Sequence, residues 1–256
     1  MGDVYPIIEK SLTKLVDKGK ITAEEKKAIF DRMKFSLDMN DMADCDLVVE
    51  AITEDIVEKQ KMYKKLDEIC KKETIFASNT SSLTIMEMAS VTKRPEKFVG
   101  LHFFNPVPMM KLVEVVRTIT TSEDTFNKAF SFGEKIGKKP IKCKDNSGFV
   151  VNLLLVPYLL DAIRAVENHV ASIEDIDKGM MLGCGHPMGP LTLLDFVGLD
   201  TTYYISEIMF KEYREKRYAP PPLLRKMVLA GHFGKKSGRG FYDYSGEKPV
   251  VADLTY

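Results

Sequence analysis

The stretch DLVVEAITEDIVEKQKMYKKLDEICKKETIFAS, residues 46–78, decides the fold of this chain. Residues 46–51 form a short, mostly apolar run of the kind found in buried strands. Residues 55–71 place apolar side chains close to helical spacing, and residues 74–77 form a second apolar run. A strand, a helix and another strand in this order indicate parallel strands joined by a crossover helix.

The same alternation continues on both sides of this stretch. Upstream, residues 8–34 predict two charged amphipathic helices, with the pair Thr22 and Glu25 capping the second. Downstream, further elements are predicted as a short helix at 84–90, strands at 97–101 and 112–116, a helix opened by Thr121-x-x-Asp124 and closed by Gly137, and a strand at 140–143. The pattern predicts a mostly parallel α/β sheet.

The pattern changes at residues 145–148, Asp-Asn-Ser-Gly. Beyond this point we predict a long apolar helix at 149–170, a helix capped by Ser172, and helical segments punctuated by Gly and Pro. Beyond residue 148, no segment carries a strand signal until residues 240–242. The sequence therefore predicts an α/β domain over residues 1–146, followed by an all-helical domain over residues 147–256.

Composition excludes several classes of protein. Lys plus Arg and Asp plus Glu each number 37, so the formal net charge of zero gives no general attraction to nucleic acid or anionic membranes. The four cysteines form no C-x-x-C pair, which favours reduced thiols in a reducing compartment. The longest apolar run, 149–160, is shorter than the ~20 residues that span a bilayer. We expect a cytoplasmic protein that binds neither nucleic acid nor membrane.

Polar residues that follow the predicted strands are the first candidates for a site, because ligands of open parallel sheets bind at the carboxyl ends of the strands. Three groups qualify: Glu54, residues 79–81 and residues 102–105. His102 is the candidate general base, since imidazole titrates near neutral pH. A hydrogen-bonded structural histidine remains the alternative. Cys184 and His186 have no partners at zinc-ligand spacing, so we expect no metal site.

Two polar residues lie inside apolar segments. Glu114, in LVEVV, either faces solvent or is buried against a partner, and it is the candidate carboxylate that orients His102. Asn152, in FVVNLLL, either ties helices together or points at a ligand, and the structural role is favoured.

Two segments, NTSSL at 79–83 and LHFFNPVPMMKLVEVV at 101–116, resemble the active-site region of the L-3-hydroxyacyl-CoA dehydrogenases. The bacterial 3-hydroxybutyryl-CoA group is the most similar. The likeness continues through the second domain in GFVVN at 148–152, HPMGP at 186–190, DFVGLD at 195–200 and GKKSGRGFY at 234–242.

The resemblance implies a Rossmann-type first domain and a homodimer formed through the second. The implied reaction interconverts 3-hydroxyacyl-CoA, such as 3-hydroxybutyryl-CoA, and 3-oxoacyl-CoA with NAD or NADP, in fatty acid or butyrate metabolism. The resemblance implies that His102 is the base, Glu114 orients it, and Ser81 and Asn152 hydrogen-bond near the reacting oxygen. The implied cofactor contacts are Glu54, Lys59, Asn79 and Asn105, and the implied coenzyme A contacts are Ser11, Lys18, Ser81 and Asn152.

One part of the family pattern has no counterpart, because the sequence contains no G-x-G-x-x-G turn. We therefore expect an N-terminally truncated sheet that lacks its first βαβ unit, with an unpaired edge beside residues 46–51. A start codon placed too late would give the same pattern. Weak anchoring of the dinucleotide phosphates would leave the chain as given with little activity. The competing hypothesis is a catalytically impaired remnant that binds acyl-CoA or only self-associates.

Overall fold

A five-stranded sheet forms the centre of the first half of the computed structural model, which describes residues 4–254. The strands lie side by side in chain order: β1 (Leu47–Glu50), β2 (Ile75–Ser78), β3 (Phe98–Phe103), β4 (Leu112–Arg117) and β5 (Lys139–Lys144). Three of the strand pairs are parallel, and only β3 and β4 run antiparallel. The predicted mostly parallel α/β sheet is confirmed.

Strand β1 lies at one edge of this sheet and pairs with β2 alone. Its outer edge has no strand partner within residues 4–254. The adjoining side chain of Val49 is partly exposed.

Helices cover both faces of the sheet. On one face, α3 (Ile56–Ile69) packs Tyr63 and Leu66 against Phe76 and Phe98, with α4 (Ile85–Ala89) beside it. On the other face lies α5 (Glu123–Lys135), packed on the sheet through its own apolar side chains. Ser122 caps α5, where Thr121 was predicted to do so. The reason is that the Thr121 hydroxyl donates instead to the carbonyl of Phe98.

The chain begins with a helical hairpin of α1 (Val4–Asp17) and α2 (Ala23–Asp31). Thr22 and Glu25 form the predicted capping box at the start of α2. No residue of α2 is buried, so this hairpin lies on the surface of the molecule.

The second half of the chain is built from helices. They are α6 (Val151–Glu167), α7 (Ile173–Cys184), α8 (Pro190–Val197), α9 (Leu199–Tyr213) and α10 (Pro222–Leu229). Their apolar faces enclose one core, with Leu160 and Leu194 fully buried. A short ribbon of β6 (Tyr242–Asp243) and β7 (Val250–Val251) is added to the predicted all-helical region.

Helix α6 begins and ends inside its predicted bounds of 149–170. It begins at Val151 because Gly148 and Phe149 take left-handed backbone conformations, with φ of 81° and 50°. It ends at Glu167 because His169 is also left-handed, with φ of 52°. In the part of the chain from residue 4 to 254, no helix is both long and apolar enough to cross a membrane.

Two buried carboxylates fasten the C-terminal ribbon to the helices. Asp195 in α8 accepts hydrogen bonds from the N–H groups of Phe241 (2.9 Å) and Tyr242 (2.8 Å) and from the Tyr244 hydroxyl (3.1 Å). Asp177 in α7 accepts a hydrogen bond from the Tyr242 hydroxyl at 2.9 Å. Burial raises the pKa of Asp195 to about 6. The ribbon is thus held by a carboxylate that titrates close to neutral pH.

We expect Asp195 to make folding stability depend on pH. Because its pKa in the folded state lies above the usual value, its protonation favours the folded state. That contribution is present below about pH 4, and it is lost as the pH rises through about 6. Asp195→Asn should flatten this decline, measured by urea unfolding between these pH values. The exposed-site variant Asp253→Asn is the control, and equal pH slopes in all three proteins would refute the expectation.

Candidate active site

The antiparallel pairing of β3 and β4 brings the two candidate catalytic residues together. His102 and Glu114 are directly opposite in the register, so their side chains lie on the same face of the sheet. His102 Nδ1 is 2.6 Å from Glu114 Oε2. Their exposed fractions are 4% and 0%, so Glu114 is buried against a partner.

The second oxygen of Glu114 binds the beginning of helix α6. Glu114 Oε1 accepts hydrogen bonds from the N–H groups of Val150 and Val151, each at 3.0 Å. These groups have no acceptor within their own helix, and a negative charge at a helix N-terminus is favourable. The Cys143 thiol lies 3.8 Å from the same oxygen. Burial, together with the charge of Glu114, raises the pKa of Cys143 to about 12, so the thiol keeps its proton.

The contact with Glu114 determines which nitrogen of His102 is free to accept a proton. A carboxylate can only accept hydrogen bonds, so Nδ1 carries a proton and Nε2 keeps its lone pair, as inferred from the hydrogen-bond network. Ser81 Oγ lies 3.2 Å from Nε2. The rings of Phe104 and Phe149 flank the imidazole, with centroids 4.5 and 5.6 Å away. A proton acceptor therefore lies between apolar walls, next to a hydroxyl.

Ser81 lies on the turn between β2 and α4, and several side chains fix that turn. Glu54 Oε1 accepts hydrogen bonds from the N–H groups of Ser81 (2.9 Å) and Ser82 (3.3 Å) and from the hydroxyl groups of Thr80 and Ser82. Asn152 Nδ2 donates to the carbonyl of Ser81 at 3.2 Å. Asn152 therefore joins α6 to the turn beside the site. The turn is held from both halves of the molecule.

The side chain of Asn79 links the carboxyl ends of two neighbouring strands. Its Oδ1 accepts a hydrogen bond from the N–H of Phe103 at 2.8 Å, which links the end of β2 to the end of β3. The Ser81 turn and His102 therefore both lie at the carboxyl ends of the strands. This is where the sequence predicted a site.

Lys59 was expected to contact a dinucleotide, but its ammonium group is enclosed by carboxylates. Lys59 Nζ lies 2.5 Å from Glu50 Oε1 and 3.4 Å from Glu54 Oε2, and the residue is 1% exposed. The Ser78 hydroxyl donates to the other Glu50 oxygen at 2.6 Å. Sequence reasoning missed Glu50. The signal that pointed to Glu114, a carboxylate inside an apolar strand, also exists in LVVE at 47–50 and could have found it.

Three other expected site residues lie apart from this network. Asn105 is exposed on the loop after β3, and Ser11 and Lys18 are exposed on the helical hairpin. The Ser11 hydroxyl donates to the carbonyl of Ile7 in its own helix. Among the hydrogen bonds described for residues 4–254, none connects these three side chains to His102 or Ser81.

Only part of a dinucleotide site is present in the described residues. The strand ends offer carboxylate and amide oxygens and a serine hydroxyl beside His102, and these groups can hydrogen-bond a carboxamide and a ribose. The loop after β1, residues 51–54, reads Ala-Ile-Thr-Glu. It therefore lacks the glycines that let a backbone approach a pyrophosphate. No glycine-rich turn follows any strand of the sheet within residues 4–254.

Comparisons with known proteins match nearly the whole chain to one family. Residues 3–146 match the family model "3-hydroxyacyl-CoA dehydrogenase, NAD binding domain", and residues 148–244 match its C-terminal domain. A 3-hydroxybutyryl-CoA dehydrogenase of Mycobacterium tuberculosis is 50% identical over 239 residues, 93% of this chain and 84% of that protein. Another from Clostridioides difficile is 46% identical, with 93% and 85% covered.

Solved structures give the same result. The crystal structure of FadB2 from M. tuberculosis has a TM-score of 0.89 at 50% identity, covering 92% of this chain and 84% of that one. The (S)-3-hydroxybutyryl-CoA dehydrogenase PaaH1 from Ralstonia eutropha also has a TM-score of 0.89, at 43% identity, with 93% and 84% covered.

We expect Glu114→Gln to lower the free energy of unfolding by about 2–4 kcal/mol, because it removes a buried carboxylate that accepts hydrogen bonds from His102 and the start of α6 and points an amide donor at these donors. Urea unfolding at neutral pH measures the change. Glu123→Gln is the matched control. Glu123 pairs with Arg117 at 2.6 Å but is largely exposed, and exposed pairs contribute little. Similar losses in both variants would show that Glu114 does not tie α6 to the sheet.

Proposed function

The chain belongs to the 3-hydroxyacyl-CoA dehydrogenase family, and we propose on that basis that it interconverts 3-hydroxyacyl-CoA and 3-oxoacyl-CoA with NAD or NADP. The observation that carries this proposal is the 2.6 Å contact between His102 Nδ1 and Glu114. It leaves His102 Nε2 as a proton acceptor at the edge of the sheet. Oxidation of a secondary alcohol requires such a group.

In the oxidation direction, His102 Nε2 takes the hydroxyl proton of the substrate. The electron pair of the O–H bond forms the C=O double bond at carbon 3, and the hydride of the C–H bond leaves that carbon. A bound nicotinamide supplies the acceptor for the hydride. The imidazolium that forms is stabilised by the adjacent charge of Glu114. In the reverse direction His102 returns the proton to the oxygen.

We propose that Ser81 and Asn152 orient the substrate oxygen. The Ser81 hydroxyl lies 3.2 Å from His102 Nε2, so one substrate oxygen can meet both groups. Asn152 lies against the same turn. Donors held in place before the reaction lower its barrier by fixing the distance and direction of attack.

The remaining assignments follow from the family. We propose that Glu54, Asn79 and Asn105 line the dinucleotide, and that Ser11 and Lys18 meet the coenzyme A. The relatives named 3-hydroxybutyryl-CoA dehydrogenase support a short acyl chain and a role in fatty acid or butyrate metabolism. We also propose that the protein is cytoplasmic and that its two domains meet between residues 146 and 147.

A second candidate function is the binding of acyl-CoA without turnover. It is favoured by one observation, the lack of a glycine-rich phosphate turn in residues 4–254. Calorimetry with NADH separates the two functions for the chain of 256 residues. Turnover with measurable NADH binding supports the dehydrogenase, whereas acyl-CoA binding without NADH binding supports the second candidate.

We expect His102→Gln to lower kcat by ~10²-fold or more, the usual contribution of a positioned acid–base group. The assay follows NADH absorbance during reduction of acetoacetyl-CoA. His232→Gln, on the loop after α10, is the control and should keep wild-type kcat. A near-normal kcat for His102→Gln would remove His102 from its role as base.

We propose further that two copies associate through an apolar groove of the helical domain. The groove is lined by residues of α6 and of the segment before α8, and Leu154 in it is 65% exposed although apolar. Exposed apolar patches mark interaction surfaces.

Leu154→Glu should shift the protein toward monomer in sedimentation equilibrium, because a charge cannot be buried in such an interface without a partner. Ile119→Glu introduces the same charge at a 94% exposed position of the first domain and should leave the mass unchanged. A monomeric wild-type protein at tens of micromolar would contradict the proposal.

A further inference from the structure

The linker that joins the two halves of the molecule, residues 145–148, is bonded to the turn that carries Ser81. The Ser147 hydroxyl donates to the carbonyl of Ser82 at 2.7 Å. Two residues earlier, the Asp145 carboxylate accepts hydrogen bonds from the first two N–H groups of α4, the helix that follows the turn, each at 2.7 Å. The linker therefore holds the turn and the start of the next helix together.

The linker is itself fixed against helix α9 of the second half. The Tyr213 hydroxyl, at the end of α9, donates to the carbonyl of Ser147 at 2.7 Å. Gly148 has a left-handed φ of 81°, and a Cβ atom there would lie 2.7 Å from Cε of Met209, also on α9. Ser147 is only 1% exposed. Its hydroxyl therefore has a fixed position and cannot reach a bound ligand.

The backbone groups of Ser81 and Ser82 are held from opposite sides. Glu54, from the first half, accepts hydrogen bonds from their N–H groups at 2.9 and 3.3 Å. Asn152 and Ser147, from the second half, donate to their carbonyls at 3.2 and 2.7 Å. Ser147 forms the shorter of these two bonds, and Asn152 is also proposed to meet the substrate. Ser147 is thus the contact from the second half that serves the turn alone.

We propose that Ser147 is a positioning residue for the proposed dehydrogenase reaction. Its bond to the Ser82 carbonyl fixes the turn on which the neighbouring Ser81 hydroxyl lies 3.2 Å from His102 Nε2. This inference rests on the proposed function, and Ser147 acts through the turn without touching substrate. Misplacement by about 1 Å can cost as much as ~10²-fold in rate, so a displacement of roughly a few tenths of an ångström gives a several-fold loss.

The experiment uses the full chain with Ser147→Ala, which removes the hydroxyl and keeps the carbonyl that Tyr213 binds. We expect kcat for acetoacetyl-CoA reduction to fall about 5-fold. Both substrates are saturating in this assay, so a change in NADH affinity transmitted through Glu54 does not enter kcat.

The matched control is Ser206→Ala. Ser206 is also fully buried, and its hydroxyl also donates to a backbone carbonyl at 2.7 Å, but that carbonyl belongs to Tyr203 within α9. Ser206→Ala therefore removes the same kind of bond without releasing the turn, and it should keep wild-type kcat. Equal kcat in Ser147→Ala and in the control would overturn the proposal.

A double-mutant cycle tests whether Ser147 acts through Ser81. If it does, Ser147→Ala should lower kcat in the wild-type background but add little to Ser81→Ala, because the hydroxyl that it positions is already absent. Independent multiplication of the two effects would overturn the proposal, since Ser147 would then act on another part of the site.

A spectroscopic measurement follows the turn without turnover. The ring ¹⁵N signal of His102 Nε2, assigned by its loss in His102→Gln, should move in Ser147→Ala in the same direction as in Ser81→Ala. It should stay in place in Ser206→Ala. An unmoved signal in folded Ser147→Ala would overturn the proposal.

A second variant keeps the test decisive if Ser147→Ala does not fold. Tyr213→Phe removes the hydroxyl that holds the Ser147 carbonyl, so it loosens the linker from the other side. It should change kcat and the ¹⁵N signal in the same directions, by smaller amounts. Wild-type values of both would overturn the proposal.

The failure of this inference is distinguishable from the failure of the proposed function. An inactive wild-type protein would count against the dehydrogenase reaction, and the ¹⁵N signal would still decide whether Ser147 holds the turn. An active wild-type protein with an unmoved signal in Ser147→Ala would count against Ser147 alone.

Discussion

A carboxylate buried between two strands and the beginning of a helix constrains most of this molecule. Glu114 is fully enclosed, so its charge must be balanced by donors. One oxygen receives the imidazole N–H of His102, and the other receives the first N–H groups of α6. The sheet fixes the histidine and the helix fixes the second half of the chain, and both depend on the same group. The orientation of His102 and the position of α6 are therefore not independent.

A carboxylate that binds the first N–H groups of a helix is also found at two other helices of the fold. Helices α4, α6 and α8 have no side-chain cap from their own N-cap residue. Each begins instead against a carboxylate that is distant in sequence: Asp145 binds the N–H groups of residues 85 and 86, Glu114 those of 150 and 151, and Asp177 those of 191 and 192. Local caps stabilise one helix. These distant carboxylates also fix where each helix lies relative to the rest of the molecule.

This difference explains what the sequence could predict. The alternation of apolar runs with helical segments located all five strands. The cap residues Thr22 and Ser172 located the starts of α2 and α7, because each cap lies within a few residues of the helix that it begins. The start of α6 was misplaced at residue 149, since it depends on a left-handed Phe149 and on a carboxylate contributed by β4. His102 and Glu114 were found from strand ends and from a charge in an apolar run. Lys59 could not be placed, because its burial requires Glu50 and Glu54 to converge in three dimensions.

The contact between Glu114 and the first turn of α6 has a further consequence, in isotope exchange. The N–H groups of Val150 and Val151 are bonded to an oxygen that belongs to the sheet of the other half of the molecule. A hydrogen-bonded amide exchanges its hydrogen for deuterium only when that bond opens. For these two amides, opening requires the first turn of α6 to part from Glu114. Their exchange rates therefore report how often this contact between the helix and the sheet breaks.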